Sequence, residues 1–180
     1  ILLTACNTKN DRWTTEALDV ETGLVSINIH RYEQNLFSIN PDQLRDGLES
    51  IHDEYAVFLG ENYTDTLQLI QMYNYVTDPL LLALFENVTS VYPDLNFLKS
   101  DLSRCFSYMK YYLPDVPTPE VYTYISGLDF SSPLLFNNNM LIIALDLYLG
   151  SDFEPYKETG VPLYRIEKCS REFIVRDCMF

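Results

Sequence analysis

The sequence predicts an α+β fold, mainly helical over its N-terminal two thirds and completed by a small, mostly antiparallel sheet. Three observations carry this prediction. Apolar residues recur every three or four positions through much of the stretch from Asn40 to Leu113, the spacing of one helix face. Shorter runs around Val25, Val121 and Met140 alternate or stay apolar throughout, as strands do. Between the two regimes stands PDVPTPEV, whose prolines forbid helix and favour an extended connector.

The chain opens Ile1-Leu2-Leu3-Thr4-Ala5-Cys6 and turns polar at once. An apolar stub at a free terminus has nothing to pack against, whereas the end of a secretory signal has this form. Leu3-Thr4-Ala5-Cys6 resembles the lipobox of bacterial lipoprotein precursors, which implies cleavage before Cys6 and a diacylglycerol on its thiol. Residues 1–5 are then residual signal peptide and residues 6–22 a lipidated, flexible tether, polar apart from Trp13 and Leu18. Residues 23–180 form a single α+β domain. Each buried methylene of a lipid contributes about 0.8 kcal/mol, and two chains anchor stably. The apolar runs PLLLALF and MLIIALDLYLG are far short of the roughly 20 residues a spanning helix needs, so the membrane contact is assigned to the lipid on Cys6.

Val25, Ile27 and Ile29 alternate with Ser26, Asn28 and His30, giving a strand with one buried face and a solvated His30. Asn40 caps the next element, Pro41 fits its first turn, Gln43 completes a capping-box spacing, and Leu44, Leu48, Ile51 and Tyr55 form its stripe. TDTLQLIQMYNYV continues as helix, and Asp78-Pro79 starts another. Asp94 caps a run with Leu95, Leu98, Leu102, Phe106, Met109 and Leu113 on one face. Past the proline connector, VYTYISGLDF reads as a strand, SSPLLFNNN as a loop or short ribbon, and NMLIIALDLYLG as a buried strand, the two strands forming an antiparallel pair. GSDFEPYKETGVPLY reads as irregular, and SREFIVRDCMF as a helix capped by Ser170. Its apolar face runs to Phe180 without a cap, so the domain is expected to be truncated at its C-terminus.

With 180 residues, 47% of them hydrophobic, the chain can bury a core. Its 12 basic and 26 acidic residues give a net charge of −14. No basic patch is dense enough for nucleic acid or for charge-driven binding to an anionic surface. Beyond Cys6, Cys169 and Cys178 flank a helical stretch that holds them about 13 Å apart, and Cys105 reads as a small buried hydrophobe.

The sequence contains no His-Glu-x-x-His, Gly-x-Ser-x-Gly or phosphate-binding glycine loop, and its two histidines fall on different elements. Asp129, Asp146, Asp152 and Glu154 lie near the ends of the two late strands, where loops carry function. They lack the order of a calcium loop, so no metal and no other cofactor is expected. Tyr122 and Tyr124 are the candidates for a glycan-stacking platform, with packing as their default role.

Several of these late elements are shared with a known family. Ile125-Ser126-Gly127, the segment from Leu145 to Asp152, the pair Pro162 and Tyr164, and the helix from Ile174 to Met179 resemble the gliding-motility lipoprotein B (GldB-like) family of Bacteroidota. INIHRYEQNLFSI is similar to the opening of that family, so the resemblance runs from Val25 to Met179. It implies a lipid-anchored envelope protein of gliding motility and its linked secretion machinery, on the periplasmic face of a membrane or at the cell surface. Such a protein acts through contacts with other envelope proteins and not as an enzyme. The family is also faintly similar to zincin-type metallopeptidases, but where those carry His-Glu-x-x-His this chain reads Phe173-Ile174-Val175-Arg176-Asp177-Cys178. Zinc hydrolysis of the usual kind cannot operate there. The alternatives are a peptidase-like enzyme or pseudoenzyme with active-site residues in a missing C-terminal part, and a glycan-binding lipoprotein.

Overall fold

The computed structural model describes residues 24–137 and 139–179; the lipobox, Cys6 and the tether lie outside them. The elements run β1 (Ile29–Arg31), α1 (Tyr32–Phe37), α2 (Leu44–Leu59), α3 (Thr66–Thr77), α4 (Pro79–Val91), α5 (Asn96–Tyr112), β2 (Glu120–Tyr124), β3 (Leu134–Asn137), β4 (Met140–Ala144), α6 (Pro155–Glu158), α7 (Leu163–Ile166) and α8 (Arg171–Cys178). The α+β class and the helical N-terminal portion are as the sequence predicts.

Local chemistry fixes the helix starts. Asn40 accepts from the Asp42 N–H and opens a 3-10 turn, Pro41–Gln43, ahead of α2. The capping-box pairing does not form, because the Gln43 N–H turns to the Asn40 carbonyl instead. Asp78 accepts from the N–H groups of Leu80 and Leu81 with Pro79 behind it, a cap contributing about 1 kcal/mol. The sequence places the cap of α5 at Asp94, but the N-cap position falls on Leu95, which offers no side-chain acceptor, and Asp94 accepts only from the Asn96 N–H at 3.0 Å.

The sheet order is β1-β2-β4-β3. It is mixed rather than mostly antiparallel: β1 pairs with β2 and β2 with β4 in parallel, and the antiparallel pair is β3 with β4. The chain leaving β2 crosses back before it pairs, so SSPLLFNNN becomes strand β3 and takes the antiparallel position expected of β2. Helices then cover both faces. Val121 and Ile125 share a core with Leu84 and Val88 of α4, Leu102 of α5 and Ile174 of α8, while Tyr122 and Tyr124 point the other way onto Tyr32, Leu48 and Tyr55. Burial on both faces is characteristic of parallel strands.

The alternation from Val25 to Ile29 sets the predicted faces, with Ile27 buried, but ladder pairing is confined to Ile29–Arg31. GSDFEPYKETGVPLY, expected to be irregular, holds α6 and the start of α7. The remaining thiols, Cys105, Cys169 and Cys178, are unpaired. No helix of the described residues is long and apolar enough to cross a membrane.

Candidate functional site at the end of the parallel strands

The parallel strands β2 and β4 finish side by side, with Tyr124 opposite Ala144. Two loops therefore leave from one point of the sheet, the usual position for function in parallel arrangements. From β4 comes Asp146, fully buried. Its Oδ1 accepts from the Ser126 N–H at 2.8 Å, and its Oδ2 accepts from the Ser126 hydroxyl at 2.9 Å and from the Leu128 N–H at 2.8 Å. Burial pushes its pKa up, and the hydrogen bonds from Leu128 and Ser126 pull it part of the way back. The turn it holds is a demanding one, since Gly127 and Leu128 have φ of 75° and 64°. Leu128 carries a side chain in the left-handed region, a conformation that persists only where surrounding contacts enforce it.

Tyrosine hydroxyls complete the tie. Tyr156 donates to the Asp146 carbonyl at 2.7 Å and accepts from the Leu149 N–H at 2.9 Å. Tyr75 donates to the Ile125 carbonyl and Tyr92 to that of Tyr148. Burial raises the pKa of all three phenols, which keeps them as donors. The tyrosine-rich composition is thus used in part to satisfy main-chain carbonyls at this end of the sheet.

The other predicted carboxylates do not join Asp146 in one cluster. Asp129 is exposed; its N–H donates to the Ser126 hydroxyl and its carboxylate accepts from the Ser131 N–H, and the Ser131 hydroxyl and N–H together lower its pKa. Asp152 is exposed, and Glu154 pairs with Lys157 at 2.7 Å. Among the described residues no group of three or more His, Cys, Asp or Glu is placed to hold a metal ion. Tyr122 stacks on His30 at 4.8 Å and meets Tyr55 and Phe58 edge-on, and Tyr124 packs against Phe58. Both rings are engaged by other side chains and form no flat platform for a sugar. His30 is not merely solvated: its ring nitrogens lie 2.8 Å from Glu54 and 3.1 Å from Glu120.

Below the Asp146 turn, α7 and α8 wall a cleft of about 410 Å³ lined by Phe130, Tyr148, Tyr164, Arg165, Lys168 and Arg176, with Asp177 beside Arg176. Arg165 donates to the Phe130 carbonyl at 2.8 Å. Arg176 donates to Asp177 at 2.6 and 3.0 Å and lies over the Phe173 ring. Tyr148 donates to the other oxygen of Asp177 at 3.2 Å. Cys169, also in the lining, has its thiol pushed up to about 11 by burial, so it stays protonated and weakly nucleophilic near neutrality.

Of this arrangement the sequence pointed to Asp146 but not to its partner Ser126 as a ligand of the turn, nor to the cations of the cleft. The clustering of Arg165, Lys168, Arg171 and Arg176 within a short stretch of an acidic chain was the available clue.

No curated protein and no solved structure matches the chain. The family model described as gliding motility protein GldB matches residues 11–180, covering the Asp146 turn, its Ser126 partner and the cleft alike. The chain therefore belongs to the GldB family of gliding-motility lipoproteins of the cell envelope.

Proposed function

We propose that this protein is held to a bilayer by lipid on Cys6 and serves gliding motility and its linked secretion machinery through protein contacts rather than catalysis. The observation that carries this reading is the use made of the carboxylate at the sheet end. Asp146 is sealed from solvent and directs both oxygens at the Ser126–Leu128 turn, so it positions backbone and has no oxygen free for a substrate. Its neighbours in sequence terms, Asp129, Asp152 and Glu154, serve as a turn cap, a solvated charge and an ion-pair partner. The helix that would carry zinc ligands in a metallopeptidase has none of the histidines required.

The test is complementation of a deletion in a gliding host, read as colony spreading. Deletion is expected to stop spreading, and the wild type to restore it. The triple variant Asp129→Asn, Asp152→Asn, Glu154→Gln is expected to restore it equally, because none of these groups does chemistry. Spreading that survives deletion would remove the motility role, and a folded triple variant that fails to restore it would point back to an active site.

A further inference from the structure

The cleft beneath the Asp146 turn is chemically out of keeping with the rest of the chain. Against 26 acidic residues there are only 12 basic ones, yet Arg165, Lys168 and Arg176 converge on this one concavity, where the lining offers the single carboxylate of Asp177. Like charges gathered on a surface repel one another, and a bound anion turns that cost into attraction. Two of the three are already fixed. Arg165 is held by the Phe130 carbonyl and sits over the Phe130 ring at 5.9 Å, and Arg176 is held between Asp177 and the Phe173 ring. Little side-chain freedom is then lost when a ligand arrives. Guanidinium groups suit carboxylates in particular, through paired N–H donors. Lys168 is exposed, and its ammonium has no partner among the described residues.

The surroundings say which kind of anion. Pro133 lines the cleft, and β3 starts at the next residue. Among the described residues β3 is an edge strand with no strand paired on its outer side, the arrangement that accepts an added peptide strand. Leu135 and Phe136 on it are 47% and 61% exposed, pointing to opposite faces as consecutive strand residues do. A phosphorylated headgroup or acidic sugar would use the cations but leave the strand edge and these two side chains without a role. An extended peptide would use all of them.

We propose that the cleft and the β3 edge together dock an extended acidic segment of a partner protein, with a carboxylate between Arg165, Lys168 and Arg176 and its main chain added to β3. This rests on the protein-contact reading above and names the chemistry of the contact. It is tested with the whole chain by fluorescence anisotropy, using a labelled hexapeptide of alternating valine and glutamate and its counterpart with glutamine. The acidic peptide is expected to bind saturably, the glutamine peptide about tenfold more weakly, and the acidic one progressively less as salt rises. Lys168→Glu, an exposed change in the turn after α7, is expected to weaken binding about tenfold; Arg165→Gln should do the same but also loses a structural contact. Absence of saturable binding, equal affinity for the two peptides, or an unaffected Lys168→Glu variant would overturn the proposal. So would binding to phosphatidylglycerol vesicles in place of the peptide. Because the titration involves no cell, its failure leaves the spreading result standing, and the two readings fall separately.

Discussion

Asp146 and His30 show how single residues here hold elements together rather than act on a substrate. Replacing Asp146 by Asn keeps one acceptor and sets an amide N–H₂ against the Ser126 or Leu128 donors. Stranding a buried donor costs about 1–3 kcal/mol, so urea unfolding of Asp146→Asn should show a loss of that size, and Asp146→Ala a larger one. His30 joins α2 to the sheet. Both its nitrogens face carboxylates, Glu54 and Glu120, with Tyr55 and Tyr122 as the neighbouring rings, a setting that favours the doubly protonated ring. Partial burial lowers its pKa, but the hydrogen bonds and charges of Glu54 and Glu120 outweigh that and leave it raised above 6.5. A raised folded-state pKa contributes stability that is fully present below the unfolded value and is lost as pH rises through the folded one. The wild type should therefore lose, as pH rises from about 6.5 through the raised folded-state value, a contribution that His30→Gln lacks, and for so exposed a pair it should stay under about 1 kcal/mol. Paired urea titrations of the two proteins check it.

At the scale of elements, the helices were legible because each rests on local chemistry. Asp78-Pro79 caps as its spacing says, Asp94 ties the first N–H of α5 from one residue ahead of the N-cap position, and the stripe Leu98, Leu102, Phe106 is the buried face of α5. Sheet order was not legible, because alternation in VYTYI or apolarity in MLIIA states which faces are buried and nothing about the partner strand. The short α1, α6 and α7 escaped for a related reason: one turn of helix has too few residues to show a period. Tertiary contact decides them, as with Tyr156 of α6, which is anchored by its hydroxyl to Asp146 and Leu149. The site was half legible on the same grounds. A carboxylate following a strand could be singled out, but its ligands Ser126 and Leu128 come from a loop that only the parallel pairing brings alongside. A packing feature of α2 makes a further prediction. A Cβ at Gly47 would meet Ile39 Cγ2 at 2.2 Å and its Cγ1 and Cβ at 3.0 and 3.2 Å, so the whole Ile39 side chain would have to shift. Overpacking of this kind costs about 1–3 kcal/mol, more than the 0.5–1 kcal/mol or so that alanine gains over glycine within a helix. Gly47→Ala should accordingly lower the denaturation midpoint, and the same change made in an Ile39→Ala background, where Cγ1 and Cγ2 are gone, should cost less.

For the whole molecule, charge, core and the proposed anchor have separate tasks. Two apolar clusters on opposite faces of one sheet make the body, and the chain carries a net charge of −14, which works against charge-driven binding to anionic surfaces. The proposed attachment to a membrane uses residues ahead of the domain, where the lipobox-like Leu3-Thr4-Ala5-Cys6 stands. Intact-protein mass of the wild type and Cys6→Ala, both expressed as full precursors in a bacterial host, decides whether a lipid on Cys6 supplies the membrane attachment proposed. The wild type should have lost the residues before Cys6 and gained the mass of acyl chains, with neither change in the variant. An unprocessed wild type free of lipid would contradict it.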